Sequence, residues 1–124
     1  MKKEEQIKVL KEFRRYLKML QEGKAKENTR EKISQLSSIV SPIMKNLGTL
    51  KTMTVGAPPM LGGMEMIINP IDNIYNVPYG LTYEVRAALI DMINKTIGIL
   101  QNQPDTIDDK ENIWSIMHPE IIRV

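Results

Sequence analysis

Apolar residues recur through the first 22 positions at helical spacing. Ile7, Leu10, Phe13, Leu17 and Leu20 are separated by three, three, four and three residues. At 3.6 residues per turn they share one stripe. Lys8, Lys11, Glu12, Arg14, Arg15 and Lys18 fill the positions between them and suit the wet side. This pattern predicts a helix over 2–22, with Gly23 as the residue just past its C-cap. Leu10, Phe13, Leu17 and Leu20 also approximate a heptad seam, so this helix is expected to be where copies of the chain associate.

A second stripe follows in Ile33, Leu36, Val40, Ile43 and Leu47. Asn28 and Glu31 have the spacing of a capping box at its start. Ser41-Pro42 interrupts the run. A proline inside a helix removes a donor and clashes with the preceding turn, at about 3 kcal/mol. A kink is therefore expected there, or a new short helix that Ser41 caps and Pro42 begins. Gly48 ends the pattern.

Residues 49–80 obey neither period. They carry Gly56, Gly62, Gly63 and Gly80 together with Pro58, Pro59, Pro70 and Pro78. Thr52–Val55 and Met64–Ile68 have strand composition and can pair as a hairpin around Gly56–Gly63; an irregular Ω-like loop is the competing reading. Asn69-Pro70-Ile71-Asp72-Asn73 and Asn76-Val77-Pro78-Tyr79-Gly80 are turn chemistry. The segment is also rich in Met, Ile and Tyr, whereas a disordered linker is polar. An ordered irregular stretch of this length tends to carry function, so a binding surface is sought here first.

Thr82 can cap a third helix running to about Asn102, with Glu84 near its positive end. Ile90, Ile93, Ile97 and Leu100 form its stripe, and Val85, Leu89 and Met92 widen it. So wide a face predicts a central helix. Residues 103–110 form a polar, acidic connector, and 111–124 hold Trp114 and His118-Pro119. The expected fold is mainly α, a small helical domain of four to five helices with an ordered Gly/Pro-rich insertion at 49–80. The domain is placed at 1–112, and 113–124 are expected to start a further helical segment, the opening of a carboxyl-terminal domain.

Composition narrows the chemistry. With 124 residues the chain makes one domain. The absence of cysteine excludes disulfides, thiolate metal sites and cysteine nucleophiles. A single histidine excludes a His-rich metal centre within one chain. No apolar run is long enough to span a bilayer, and the amino terminus has no apolar core of a signal peptide, so a cytoplasmic protein is expected. Charge is uneven: residues 1–32 carry 11 Lys/Arg against 6 Asp/Glu, and residues 33–124 carry 6 against 9. Lys8, Lys11, Arg14, Arg15 and Lys18 are thus candidates for nucleic-acid contact, with a solvated helix face as the plainer reading.

Met53, Met60, Met64 and Met66 cluster within 14 residues. Methionine suits adaptable binding surfaces and also fills irregular cores. Tyr75, Tyr79 and Tyr83 recur every fourth position and can stack on a base or nucleotide, or pack at the domain edge. Gly56–Gly63 matches no phosphate-binding loop, and Asp105, Asp108 and Asp109 lack the glycine of a calcium loop. No cofactor or metal is expected. No nucleophile, base and orienter can be assembled by spacing, and His118 before Pro119 suits a local packing role.

The stretch Ile113-Trp114-Ser115-Ile116-Met117-His118-Pro119-Glu120-Ile121-Ile122-Arg123-Val124 resembles a junction in abortive-infection-like HEPN proteins of the Ymh type, where a hydrophobic-His-Pro-x-Ile pattern opens the helical HEPN domain. The resemblance covers about a tenth of the chain. It implies an accessory domain at the amino-terminal end of a longer prokaryotic or phage-defence protein. HEPN ribonucleases use an Arg-x₄₋₆-His pair; the nearest arginine upstream of His118 is Arg86, so no catalytic role carries over. The leading expectation is a non-enzymatic oligomerisation or sensing domain, whose partner is a second copy or another protein. A small-ligand, nucleotide-like binder is the alternative, and a nucleic-acid contact module the third.

Overall fold

The computed structural model describes residues 1–56, 60 and 62–104. The elements run α1 (Lys3–Gln21), α2 (Thr29–Asn46), β1 (Met53–Gly56), β2 (Glu65–Ile68) and α3 (Thr82–Asn102), with 3₁₀ turns at Pro70–Asp72 and Pro78–Gly80. The chain is mainly helical, with three α-helices among the described residues where four to five were expected. The segment 113–124, and the acidic residues from Asp105 onward, lie outside the described residues.

The first two helices stop by the same device. Gly23 adopts φ 69° and Gly48 φ 67°, the left-handed conformation that glycine takes without strain. The Lys24 amide donates to Met19 O (2.8 Å) and the Gly23 amide to Leu20 O (3.3 Å). The Thr49 amide donates to Met44 O (2.9 Å) and the Gly48 amide to Lys45 O (3.1 Å). Each set is a complete Schellman motif that satisfies the last carbonyls of the helix.

α2 departs from expectation at Ser41-Pro42. It continues through Pro42 as one helix to Asn46, and does not give way to a second one. Pro42 is exposed while Val40, Ile43 and Met44 around it are buried, so packing of the flanking turns holds the helix across the lost donor. The start differs too. Asn28 makes no side-chain cap; instead the buried Thr29 Oγ1 accepts from the Lys26 amide at 2.8 Å. Thr82 is likewise the first residue of α3 and not its cap.

α1 is the helix that packs against both of the others. Its Leu10, Phe13 and Leu17 are fully buried, with Ile33, Val40, Ile43 and Met44 of α2 and Leu89, Ile93, Ile97 and Leu100 of α3. The wide apolar face of α3 serves a different end from the central position expected of it. It covers α1, the turn at Pro70–Asp72 and, through Val85, a second cluster with Val55 and Ile68.

β1 and β2 form an antiparallel hairpin, with Met53 opposite Ile68 and Val55 opposite Met66. Opposed residues share a face of a pleated pair. Met53, Val55 and Ile68 thus turn toward Val77, Leu81 and Val85. Thr54 and Ile67, opposite each other, turn away. One polar link fastens the far end of the bundle: Thr96 Oγ1 donates to Thr49 Oγ1 at 2.7 Å, and Thr49 Oγ1 donates to Met44 O at 3.2 Å, in a buried site.

Candidate functional site

Three surfaces stand out from this fold. The first is the hairpin. Met60 is 93% exposed, Ile67 75%, Met64 66% and Met66 44%. Met53 is half-buried and belongs to the second core cluster. The methionine group is therefore divided: Met53 fills the core, Met66 is part-exposed on the same side of the sheet as Val55, and Met60 and Met64 lie exposed before β2, while Ile67 turns outward. Among the described residues the sheet has only these two strands, so each keeps one edge of unpaired amides and carbonyls.

The second surface is a cleft between α2 and the loop after β2. Arg30, Ile33, Ser34 and Ser37 follow the i, i+3, i+4, i+7 pattern of one helix face and form one wall. Ile71, Asp72, Ile74, Tyr75 and Asn76 form the other, around a volume of about 260 Å³. The loop wall is held in place locally. Asn69 Oδ1 accepts from the Ile71 amide at 3.1 Å, and Asn73 Nδ2 donates to Asn69 O at 2.7 Å. Ile71 and Ile74 are buried in the main core. Arg86 of α3 donates from Nε to Ile74 O at 2.8 Å.

Two cations lie over the Tyr75 ring. The Arg30 guanidinium carbon lies 4.3 Å from the ring centroid and that of Arg86 5.5 Å, both within cation–π range. The Tyr75 hydroxyl oxygen is buried and has no hydrogen-bond partner among the described residues. Burial pushes the hydroxyl above the ordinary tyrosine range, against the opposing pull of Arg30 and Arg86. Burial likewise lowers the Arg86 guanidinium, which Tyr75 partly offsets. Among the described residues neither Arg30 nor Arg86 is in an ion pair.

The three tyrosines do not form one stack. Tyr75 lines the cleft just described, whereas Tyr83 lines a separate groove with Lys18, Gln21 and Asp91. Gln21 Nε2 donates to the Tyr83 carbonyl at 2.8 Å, which ties that residue to the end of α1. Tyr79 is exposed and holds a left-handed backbone at φ 61°. Sequence reasoning placed Tyr75 among candidates but missed Arg30 and Arg86. The signal that could have found Arg30 is its helical spacing with Ser34 and Ser37, two small polar residues flanking Ile33 on the α2 stripe.

The third surface is the outer face of α1. Lys8, Lys11, Arg15 and Lys18 precede Leu10, Phe13, Leu17 and Leu20 by two positions each, or about 200° around the helix. They form an exposed basic stripe opposite the buried one. Lys11, Arg14, Arg15 and Lys18 line one open groove with Glu22. Arg14 Nη1 donates to Asn94 Oδ1 at 2.8 Å, and Arg15 reaches Glu12 at 3.9 Å. The apolar stripe itself is not a surface. Leu10, Phe13 and Leu17 are sealed within the chain and Leu20 packs against them, which corrects the expectation that they join copies.

Among the described residues no group of three or more His, Cys, Asp or Glu is placed to hold a metal ion, and no helix is long and apolar enough to cross a membrane. No family model, no curated protein and no solved structure matches the chain.

Proposed function

We propose that the chain is a non-enzymatic interaction domain that assembles with a second copy of itself through the β1–β2 hairpin. The observation that carries this reading is the exposure of Ile67 and Met66 on β2, together with Met60 and Met64 in the connection before it. Contiguous exposed apolar side chains mark interaction sites, and flexible methionines accommodate a partner surface. A strand edge can pair antiparallel with its own copy about a two-fold axis, so the same element supplies both halves of the interface. In the setting implied by the resemblance at 113–124, this would be the assembly or sensing domain of a cytoplasmic HEPN-type defence effector.

Light scattering over a concentration series tests it. The expected result is a dimer that dissociates on dilution, and a monomer for Ile67→Lys with unchanged helix content. A charge on an exposed edge strand blocks pairing without touching the core. A wild-type monomer throughout would overturn self-assembly.

The basic stripe of α1 favours a second reading, contact with a nucleic-acid backbone. Four cations would give a logarithmic salt slope of about −3.6 on duplex DNA, at about −0.9 per neutralised phosphate. A slope near zero would dismiss it.

A further inference from the structure

The cleft between α2 and the 69–76 loop plays no part in hairpin assembly. We propose that it is a binding site for a small phosphate monoester, with Arg30 as its charged anchor and the unpartnered hydroxyl of the lining residue Tyr75 as a donor.

Of the polar residues around the cleft, Arg30, Ser34, Tyr75 and Asn76 can donate. A guanidinium stacked on a ring keeps its in-plane N–H groups, in the fork that suits phosphate oxygens. Arg30 is stacked in this way and makes no ion pair among the described residues. Ser34 and Asn76 add a hydroxyl and an amide to the same lining. Ser37 Oγ already donates to Ser34 O at 2.9 Å, so it contributes an acceptor. Arg86 lies 5.5 Å from the Tyr75 ring centroid, and its charge adds to the attraction.

The Tyr75 hydroxyl is the more telling group. Buried hydroxyls are almost always bonded, and one left without a partner weakens the fold. This one is buried and unpartnered on a wall whose backbone is pinned by Asn69, Asn73 and Arg86. A ligand oxygen in the cleft would satisfy it. Phosphate is favoured over carboxylate because it offers three terminal oxygens and nearly two charges at neutral pH. Asp72 on the loop wall repels a bare anion but accepts from a hydroxyl. That selects an ester whose alcohol part carries hydroxyls. The volume of about 260 Å³ lies below the ~300–1,000 Å³ of drug-sized sites, which suits a sugar phosphate.

The test uses calorimetric titration and thermal unfolding of the whole chain, with ribose 5-phosphate, inorganic phosphate and sulfate as probes. Ribose 5-phosphate is expected to bind and to raise the melting temperature with concentration. Arg30→Gln should abolish binding, while the free protein melts slightly lower for the lost stacking on Tyr75. Tyr75→Phe should melt higher than wild type without ligand, and bind about 10- to 150-fold more weakly, the factor for losing a hydrogen bond to a charged group. Lys11→Gln, on the far basic stripe, should bind normally. Equal affinity for inorganic phosphate and the sugar phosphate would overturn the ester assignment. No binding by any probe at millimolar concentration, or binding unchanged in both Arg30→Gln and Tyr75→Phe, would overturn the site.

Discussion

Phe13→Ala distinguishes a helix that fills the core from one that joins copies. Phe13 is fully buried on α1, the helix that packs against both α2 and α3. A buried phenylalanine removes about 150–250 Å² from water, which at about 25 cal/mol per Å² amounts to about 4–6 kcal/mol. Extended-chain areas overstate the gain, and phenylalanine truncations cost about 3–5 kcal/mol. A domain of this size is stable by about 5–15 kcal/mol, so the variant loses from about a fifth of that margin to nearly all of it. With a urea m-value near 2 kcal/mol per M, the midpoint should fall by about 2 M. The assay is urea denaturation followed by circular dichroism at two protein concentrations about tenfold apart. The same fall at both concentrations identifies intrachain packing. A midpoint that barely moves, with a shift in assembly state, would refute the reasoning and return Phe13 to an interface.

Other consequences follow from particular contacts. Thr49→Val and Thr96→Val, combined in a double-mutant cycle, should show a coupling of about 0.5–1.5 kcal/mol, because the hydroxyls bond each other at 2.7 Å in a buried site; additive effects would deny the link. Gly48→Ala should cost about 1–2 kcal/mol, read as a lower melting temperature, since its φ of 67° strains an L-residue while open space surrounds the added carbon. The raised Tyr75 ionisation means the folded chain keeps that proton longer than the unfolded one. Its contribution is full below pH about 10 and is lost as pH climbs through the folded value; alkaline unfolding should be shallower in Tyr75→Phe.

Elements dictated by local pattern were legible in the sequence. The apolar stripe from Leu10 to Leu20 yields α1 at 3–21 against an expected 2–22, and Gly23 and Gly48 mark two helix ends. The alternative left open at 49–80 resolves in favour of the hairpin, because Val55 and Ile68 gain a core with Val85. What escaped depended on distant partners. Pro42 is tolerated because Val40, Ile43 and Met44 are packed into the main core, which no local rule reports. Thr29 replaces Asn28 as the helix-start residue because it is the one buried there. Arg30 and Arg86 come from different helices to the ring of Tyr75, and helical periodicity carries no information about such pairings.

The position of α1 sets a timetable for biosynthesis. Among the described helices the earliest one synthesised needs the latest: Gln21 bonds Tyr83, and Arg14 bonds Asn94 across 80 residues. At about 5–20 residues per second, those 80 residues take about 4–16 s to add. Throughout that interval α1 and α2 can pair, yet the side of Leu10, Phe13 and Leu17 that α3 covers stays open to water. The nascent chain thus presents a greasy helix pair to its surroundings for seconds, a window in which a holding chaperone or a neighbouring nascent copy would find it first.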